Sequence, residues 1–329
     1  MLEKLIIASI TFLSGHCLAA DFSPPTVSTS STLPSYLALW PNINDFNRFA
    51  NGGSDGNWYI GYNNAWIVEL PPAPMGEFPR TFIGAKIGRA KTKPDPDKPW
   101  ISQRLSGKIY MAISQTPSFG SQQSFMVARA ADIPLESGQS EGQNGVGEAE
   151  WFWAEVPAAL VSFTQPNYLI VWSVTPYFLS ASSSPILAAM TAPASMDRPR
   201  AWNNQKIAGV PPRAEEGALE TPLGNLLPAL AIKLCPPDGP PVLIHGFSAL
   251  SSGDDVVVSF SAEGRDISRA WIEFSADRID WERSGPFLFH EPLILTVNRA
   301  ELPGQAAFLR AAASDILGSV GYGPAWPLR

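Results

Sequence analysis

Residues 148–178 read EAEWFWAEVPAALVSFTQPNYLIVWSVTPYF, two apolar segments on either side of a Pro-bounded connection. The second, Tyr168 to Val174, is aromatic and β-branched on both faces. That pattern predicts a strand buried on both sides, within a sheet that something covers. The first, Trp151 to Val156, ends at Pro157, which has no N–H for a ladder and stops the strand. The pair reads as neighbouring strands in the heart of a β-sandwich. Alternation puts Glu150, Phe152, Ala154 and Val156 on one face, a set suited to the inter-sheet core. The other face carries Trp151, Trp153 and Glu155, two flat aromatics and an acid about 7 Å apart along the strand. Two readings of that row stand. It is a sugar-stacking platform with a hydrogen-bond acceptor at its end, or both Trp residues are covered by neighbouring loops, the commoner fate of large aromatics.

Working outward, strands are expected at 58–62 and 65–70, joined by a tight turn at Asn63-Asn64 or forming one bulged strand. Further strands are expected at 81–90, 108–113, 124–128, 186–190 and 228–234, with Gly84 and Gly88 as bulge or close-packing sites. With no long amphipathic helix, the fit is an all-β, jelly-roll-like sandwich over residues 57–235. Residues 21–56 read as a leader with a short helix between Trp40 and Ala50, packed on this domain and capped by Asn44 or Asp45. Pro236-Pro-Asp-Gly-Pro-Pro241 marks a stiff linker that spaces two bodies. Residues 242–329 form a smaller β-sandwich with strands at 256–260, 270–274, 293–297 and 306–311.

In that smaller domain Arg310-Ala-Ala-Ala313-Ser-Asp315-Ile-Leu-Gly318 resembles the late-strand signature of fibronectin type III and related immunoglobulin-like domains. Two positions depart from the pattern: Ala307 stands where the family has its corner tyrosine, and Phe260 where an early-strand Trp is common. The resemblance implies an immunoglobulin-like spacer or adhesion module and nothing catalytic. No named family is recognised for residues 21–235.

Residues 1–20 read as a secretory signal: Lys4, an apolar Leu5–Leu13, then small residues for cleavage after Ala19 or Ala20. Leu13-Ser-Gly-His-Cys17 resembles a lipoprotein box, except that His16 stands where a small residue precedes the cysteine. No segment is long and apolar enough to span a membrane. Cys17 leaves with the signal, so Cys235 is the single thiol of the mature chain and no internal disulfide forms. Cys235 bridges to another chain or is simply buried. The absence of any Asn-x-Ser/Thr sequon favours a bacterial protein, secreted or, in a Gram-negative source, periplasmic.

Composition removes several classes. Formal net charge is −7, and neither half has a basic surplus: 15 Lys and Arg face 17 acids in 21–235, and 7 Arg face 12 acids in 236–329. Nucleic-acid binding is therefore not expected. The large domain has no His, which excludes a His-dependent serine or cysteine hydrolase there. His290, beside Glu291, is an ordinary surface His or a pH-sensitive one. A glycoside hydrolase needs two carboxylates about 5–10 Å apart, and Glu150 and Glu155 fall on opposite strand faces, leaving Glu69 on another strand as an unsupported partner. Asn51-Gly-Gly-Ser-Asp55-Gly-Asn57 spaces oxygen donors at Asn51, Asp55 and Asn57 as calcium likes, or is a plain Gly-rich turn. No other cofactor is implied. Eight of eleven Trp lie between Trp40 and Trp202, which suggests carbohydrate recognition alongside core packing. Three functions follow, in order: a non-catalytic secreted or surface binding and adhesion protein that recognises a polysaccharide or cell-surface component; an extracellular structural subunit pairing through edge strands; and a carboxylate-based polysaccharide-cleaving enzyme.

Overall fold

The structure, a computed structural model, describes residues 33–47, 49, 59–94, 96–99, 102–117, 123–135, 149–194, 196, 200–204, 209, 219–220, 226–236, 241–302 and 306–328. The expected signal, the calcium-type loop at Asn51, Asp55 and Asn57, and most of the linker lie outside these residues. The protein is all-β.

The large sandwich is built from β1 (Ser35–Ala38), β2 (Ala65–Leu70), β3 (Arg80–Gly88), β4 (Lys108–Ser114), β5 (Phe125–Arg129), β6 (Ala149–Val156), β7 (Asn167–Ser173), β8 (Ile186–Leu187), β9 (Ala201–Asn204) and β10 (Leu230–Cys235). One sheet runs β1-β10-β3-β6, with β8 paired to the end of β3. The other runs β9-β2-β7-β4-β5. Ile83, Phe152 and Ile232 from the first sheet meet Val68, Met111, Leu169 and Val171 from the second, all fully buried. Every residue of β7 is buried, as its two-faced pattern requires. Its Leu169 and Val171 face the inter-sheet core, while Tyr168, Ile170 and Trp172 join Ile67, Ala112 and Trp202 in a second cluster on the outer face.

β6 and β7 are not neighbours. β7 lies between β2 and β4, whereas β6 pairs with β3 at the edge of the opposite sheet. Pro157 ends the ladder, a 3-10 turn at Ala158–Leu160 follows, and Asn167 bonds Pro71 and Ser162 carbonyls as the chain crosses between sheets. The expected hairpin at Asn63-Asn64 is also absent. Tyr59 bridges Ile186 instead, and the buried Asn64 side chain donates to the Tyr59 carbonyl at 2.7 Å, closing a compact turn. In place of a helix near Trp40 there is one 3-10 turn, Ile43–Asp45, capped by Asn42 rather than Asn44 or Asp45. Upstream of it, β1 pairs with β10, so part of the expected leader is sheet.

The small sandwich comprises β11 (Leu243–Ser252), β12 (Asp255–Glu263), β13 (Ile267–Ser275), β14 (Glu282–Leu288), β15 (Leu293–Asn298), β16 (Phe308–Asp315) and β17 (Val320–Tyr322). Its sheets are β11-β12-β15 and β14-β13-β16-β17, the second with a short Trp326–Pro327 strand also paired to β16. Val256, Val258 and Phe260 face Ile272, Phe274, Leu309 and Ala311 across a separate core. Asp315 and Gly318 shape the β16–β17 turn: the Asp315 carboxylate accepts from the Leu317 and Ser319 amides, and Gly318 adopts a φ of +79°. β11 and β14 were not legible in sequence because a glycine at positive φ sits in each, Gly246 and Gly285, and register shifts in their pairings break the alternation.

The two cores are distinct, but the bodies are not held apart. The β16–β17 turn docks on the outer face of β3 and β10, where Leu317 packs with Phe82 and Cys235. Arg80 donates to the Leu317 carbonyl at 3.2 Å. A side chain at Gly318 would meet the Phe82 ring at 2.4 Å. Phe289 sets its ring edge-to-face on Phe152, 5.7 Å between centroids. The stiff-spacer expectation thus gives way to direct packing. Cys235 is buried in this contact, and burial pushes its thiol up to about 11.

Candidate functional site: a cleft between the sandwiches

The outer face of β6 borders two adjoining clefts. β6 pairs with β3 in a register that sets Gly84 opposite Trp153, Lys86 opposite Trp151 and Phe82 opposite Glu155. Gly84 is required here: a Cβ would lie 2.3 Å from the Trp153 ring, which rests on the bare backbone. Alternation brings Trp151 and Trp153 to one face, as expected. Their rings stack on each other, 5.0 Å between centroids and 15° between planes, closer than the strand rise alone would set them. Phe46 meets Trp151 edge-on and Tyr36 tilts against Trp153. Both Trp residues are half-buried. The row is thus covered in part by the β1 segment and its 3-10 turn, and in part by the small sandwich.

Glu155 stands at the end of the row, but its carboxylate is occupied. Arg80 forks onto it through Nε and Nη2 at 2.9 and 2.8 Å. The Arg80 hydrogen bond holds the Glu155 carboxyl below the usual carboxylate range. Lys233 lies beside the same rings, its Nζ 4.4 Å from the Phe82 centroid and 4.8 Å from that of Trp153. Only 3% of Lys233 is exposed, and burial drives its pKa down to about 8.

The smaller cleft, about 500 Å³, has Trp151 and Trp153 on one side and Tyr36, Asn44, Asp266 and Ser268 around it. The Trp151 indole N–H is buried beside it, without an acceptor among the described residues. The larger cleft, about 800 Å³, is bordered by Lys86, Arg104, Asp132, Glu150, Phe287 and His290. Glu150 borders both. It is half-buried at the start of β6, outside the inter-sheet core where alternation alone placed it, and its Oε1 lies 2.7 Å from His290 Nε2. Asp132 is forked by Arg283 at 2.6 and 3.1 Å. Lys86 is lowered by burial, partly offset by Glu150; Arg104 is lowered by burial, partly offset by Asp132.

The row of Trp151, Trp153 and Glu155 was visible in sequence through its period of two. Tyr36, Lys86, Arg104, Asp132 and Asp266 were not, because only the packing of the two sandwiches gathers them. His290 was noted beside Glu291, yet its partner is Glu150, 140 residues away. Among the described residues, no group of three His, Cys, Asp or Glu side chains forms a metal site, and no helix is long and apolar enough to cross a membrane.

No protein-family model matches the chain, and no curated protein is similar to it. Among solved structures, it superposes on β-glucuronidase from Ruminococcus gnavus. The apo enzyme is 10% identical with a TM-score of 0.24, over 91% of this chain and 46% of that one. The complex with D-glucaro-d-lactam is 10% identical with a TM-score of 0.25, over the same shares. The chain spans less than half the length of those enzymes, and at such TM-scores the superposition carries no argument about what this chain does.

Proposed function

We propose that the chain is an exported, non-catalytic recognition protein that binds carbohydrate in the cleft between its sandwiches, cleaved after Ala19 or Ala20 and acting outside the cell or in the periplasm. The observation that carries this reading is the smaller cleft, where an aromatic pair meets hydroxyl, amide and carboxylate groups of Tyr36, Asn44, Asp266 and Ser268. Sugars present apolar ring faces and many hydroxyls, and such mixed linings recognise them. Because Trp151 and Trp153 stack on one another, a ligand meets their edges and outer surfaces rather than an open two-ring platform. The small, fibronectin-like sandwich then serves as the second wall of the site.

The non-catalytic part is supported by the state of the acids. Glu150, Asp132 and Glu155 each face a basic partner, His290, Arg283 and Arg80. Hydrolysis of a glycosidic bond by a carboxylate pair needs one acid to donate and a second to attack or activate water. Asp266 alone does not supply both.

The test is glycan-array binding of the mature protein, followed by calorimetry on any hit. Asn44→Ala and Asp266→Asn, both at the cleft and outside the cores, the second keeping a residue that tolerates the left-handed backbone at 266, are expected to weaken binding at least fivefold with the melting temperature unchanged. Glycan binding that ignores both substitutions, or reducing-end release from the ligand, sinks the reading.

A further inference from the structure

The larger cleft differs from the smaller one in charge. Its two carboxylates are spoken for, Asp132 by the Arg283 fork and Glu150 by His290. Its two cations are not. Among the described residues, the Lys86 ammonium has neither a hydrogen bond nor an ion pair. Arg104 spends Nη1 on the Ala131 and Ile133 carbonyls, at 3.0 and 2.8 Å, which leaves Nη2 and Nε without a bond among the described residues. Behind Phe287 on the opposite wall stand two more guanidinium groups, Arg269 and Arg283, at 4.5 and 4.1 Å from its ring. The cleft is thus lined by two carboxylates that already have partners and by two cations that have no ion pair among the described residues, with Arg269 as a further positive charge at the Phe287 ring. Lys86 is half-buried, and a cation partly withdrawn from water without a hydrogen bond is costly, so an anion that enters the cleft restores what hydration supplied.

We propose that the larger cleft takes the carboxylate of an acidic saccharide, with Lys86 and Arg104 as the groups that bind it. This rests on the carbohydrate reading above and names the class of sugar. The two clefts adjoin at Glu150, and Lys86 is the cross-strand partner of Trp151. One oligosaccharide therefore lies with a pyranose ring against the Trp pair and its acidic neighbour beside Lys86. The free edge of the Arg104 guanidinium offers the parallel donors that a carboxylate accepts, and Lys86 adds a point charge. Lys86 is half-buried, so its contact is less screened than a surface ion pair, whereas Arg104 meets the ligand at the exposed rim.

Calorimetry on the mature protein decides it with four probes: short galacturonate oligomers, the same oligomers methyl-esterified, sulfated oligosaccharides, and neutral cello-oligomers. The acid form is expected to bind roughly tenfold or more tighter than its ester, the scale of a charge-assisted contact. K86Q and R104Q should each remove most of that preference and K86R should retain it; both Lys86 variants should melt as the parent does, while R104Q melts somewhat lower because it gives up the Ala131 and Ile133 carbonyls. Equal binding of acid and ester, or a preference that survives both substitutions, overturns the proposal while leaving the carbohydrate reading intact, provided the Asn44 and Asp266 variants still respond. Tighter binding of the sulfated probe than of the galacturonate overturns the choice of carboxylate. No binding of any of the four overturns the acidic-saccharide proposal, and an empty glycan array as well overturns the carbohydrate reading.

Discussion

The two ends of the contact between the sandwiches are built differently. At the β16–β17 turn, Leu317, Phe82 and Cys235 exclude water and Gly318 allows the backbone to come close. At the β14 end, polar contacts dominate: Arg283 forks Asp132 as an ion pair, and His290 Nε2 lies 2.7 Å from Glu150 Oε1. The first end gains stability from apolar area and fails by losing contacts. The second gains orientation from charge and fails by leaving a buried charge alone. The larger cleft opens at the ionic end, where Lys86 and Arg104 stand beside acids that already have partners, so the part of the contact that fixes direction also borders the proposed site.

The largest expected effect breaks the ionic end. Asp132 is only 3% exposed at its side chain, so Arg283→Met leaves a buried carboxylate unpaired and should cost about 3 kcal/mol in chemical denaturation. Adding Asp132→Leu should recover most of the loss. Failure of the double variant to recover would mean that Arg283 acts through Phe287, 4.1 Å from its guanidinium, rather than through charge.

Next comes the apolar end. Leu317→Ala should cost about 2–3 kcal/mol, with no second-site charge change able to restore it. Scattering profiles should show the sandwiches separating in that variant while circular dichroism stays β-rich. Unchanged scattering would show that the ionic end holds the contact by itself.

Lys233, in the apolar end, sharpens the comparison through pH. Its folded pKa, about 8, lies below the unfolded value of 10.5, so the unfolded chain holds more protons between them. Stability therefore rises as pH climbs from about 8. Cys235 opposes this from pH 9, because its thiol is raised to about 11 in the fold and the unfolded chain releases that proton first. Lys233→Met should stabilise the protein at pH 7 by about 1–2 kcal/mol, the loss of two ring contacts included, and should abolish the rise from pH 8. A destabilised variant would show that the cation–π contacts outweigh desolvation.

The smallest effect belongs to Glu155. Its pairing with Arg80 is half-exposed, so Glu155→Gln should cost less than about 1 kcal/mol. The folded carboxyl is depressed, hence this contribution is present above the unfolded carboxylate value and fades as pH falls through the folded one. A larger loss would place Glu155 in the docking of the β16–β17 turn, since Arg80 also bonds Leu317.

Much of the fold was legible residue by residue, because side-chain alternation and turn chemistry are local. The two-faced run of β7 and the shared face of Trp151, Trp153 and Glu155 follow from neighbours in the chain. Pairing is not local. Nothing in 148–178 tells which sheet each strand joins, and so β6 and β7 part to opposite layers. The same holds for the clefts: Arg283 meets Asp132 across 151 residues and Arg80 meets Leu317 across 237. The sequence alone determined an all-β chain with two cores and the row of groups on β6. Tertiary packing decided that the cores touch, that Glu155 and Glu150 face basic partners, and that Lys86 and Arg104 share a cleft, because those outcomes depend on which distant surfaces bury each other.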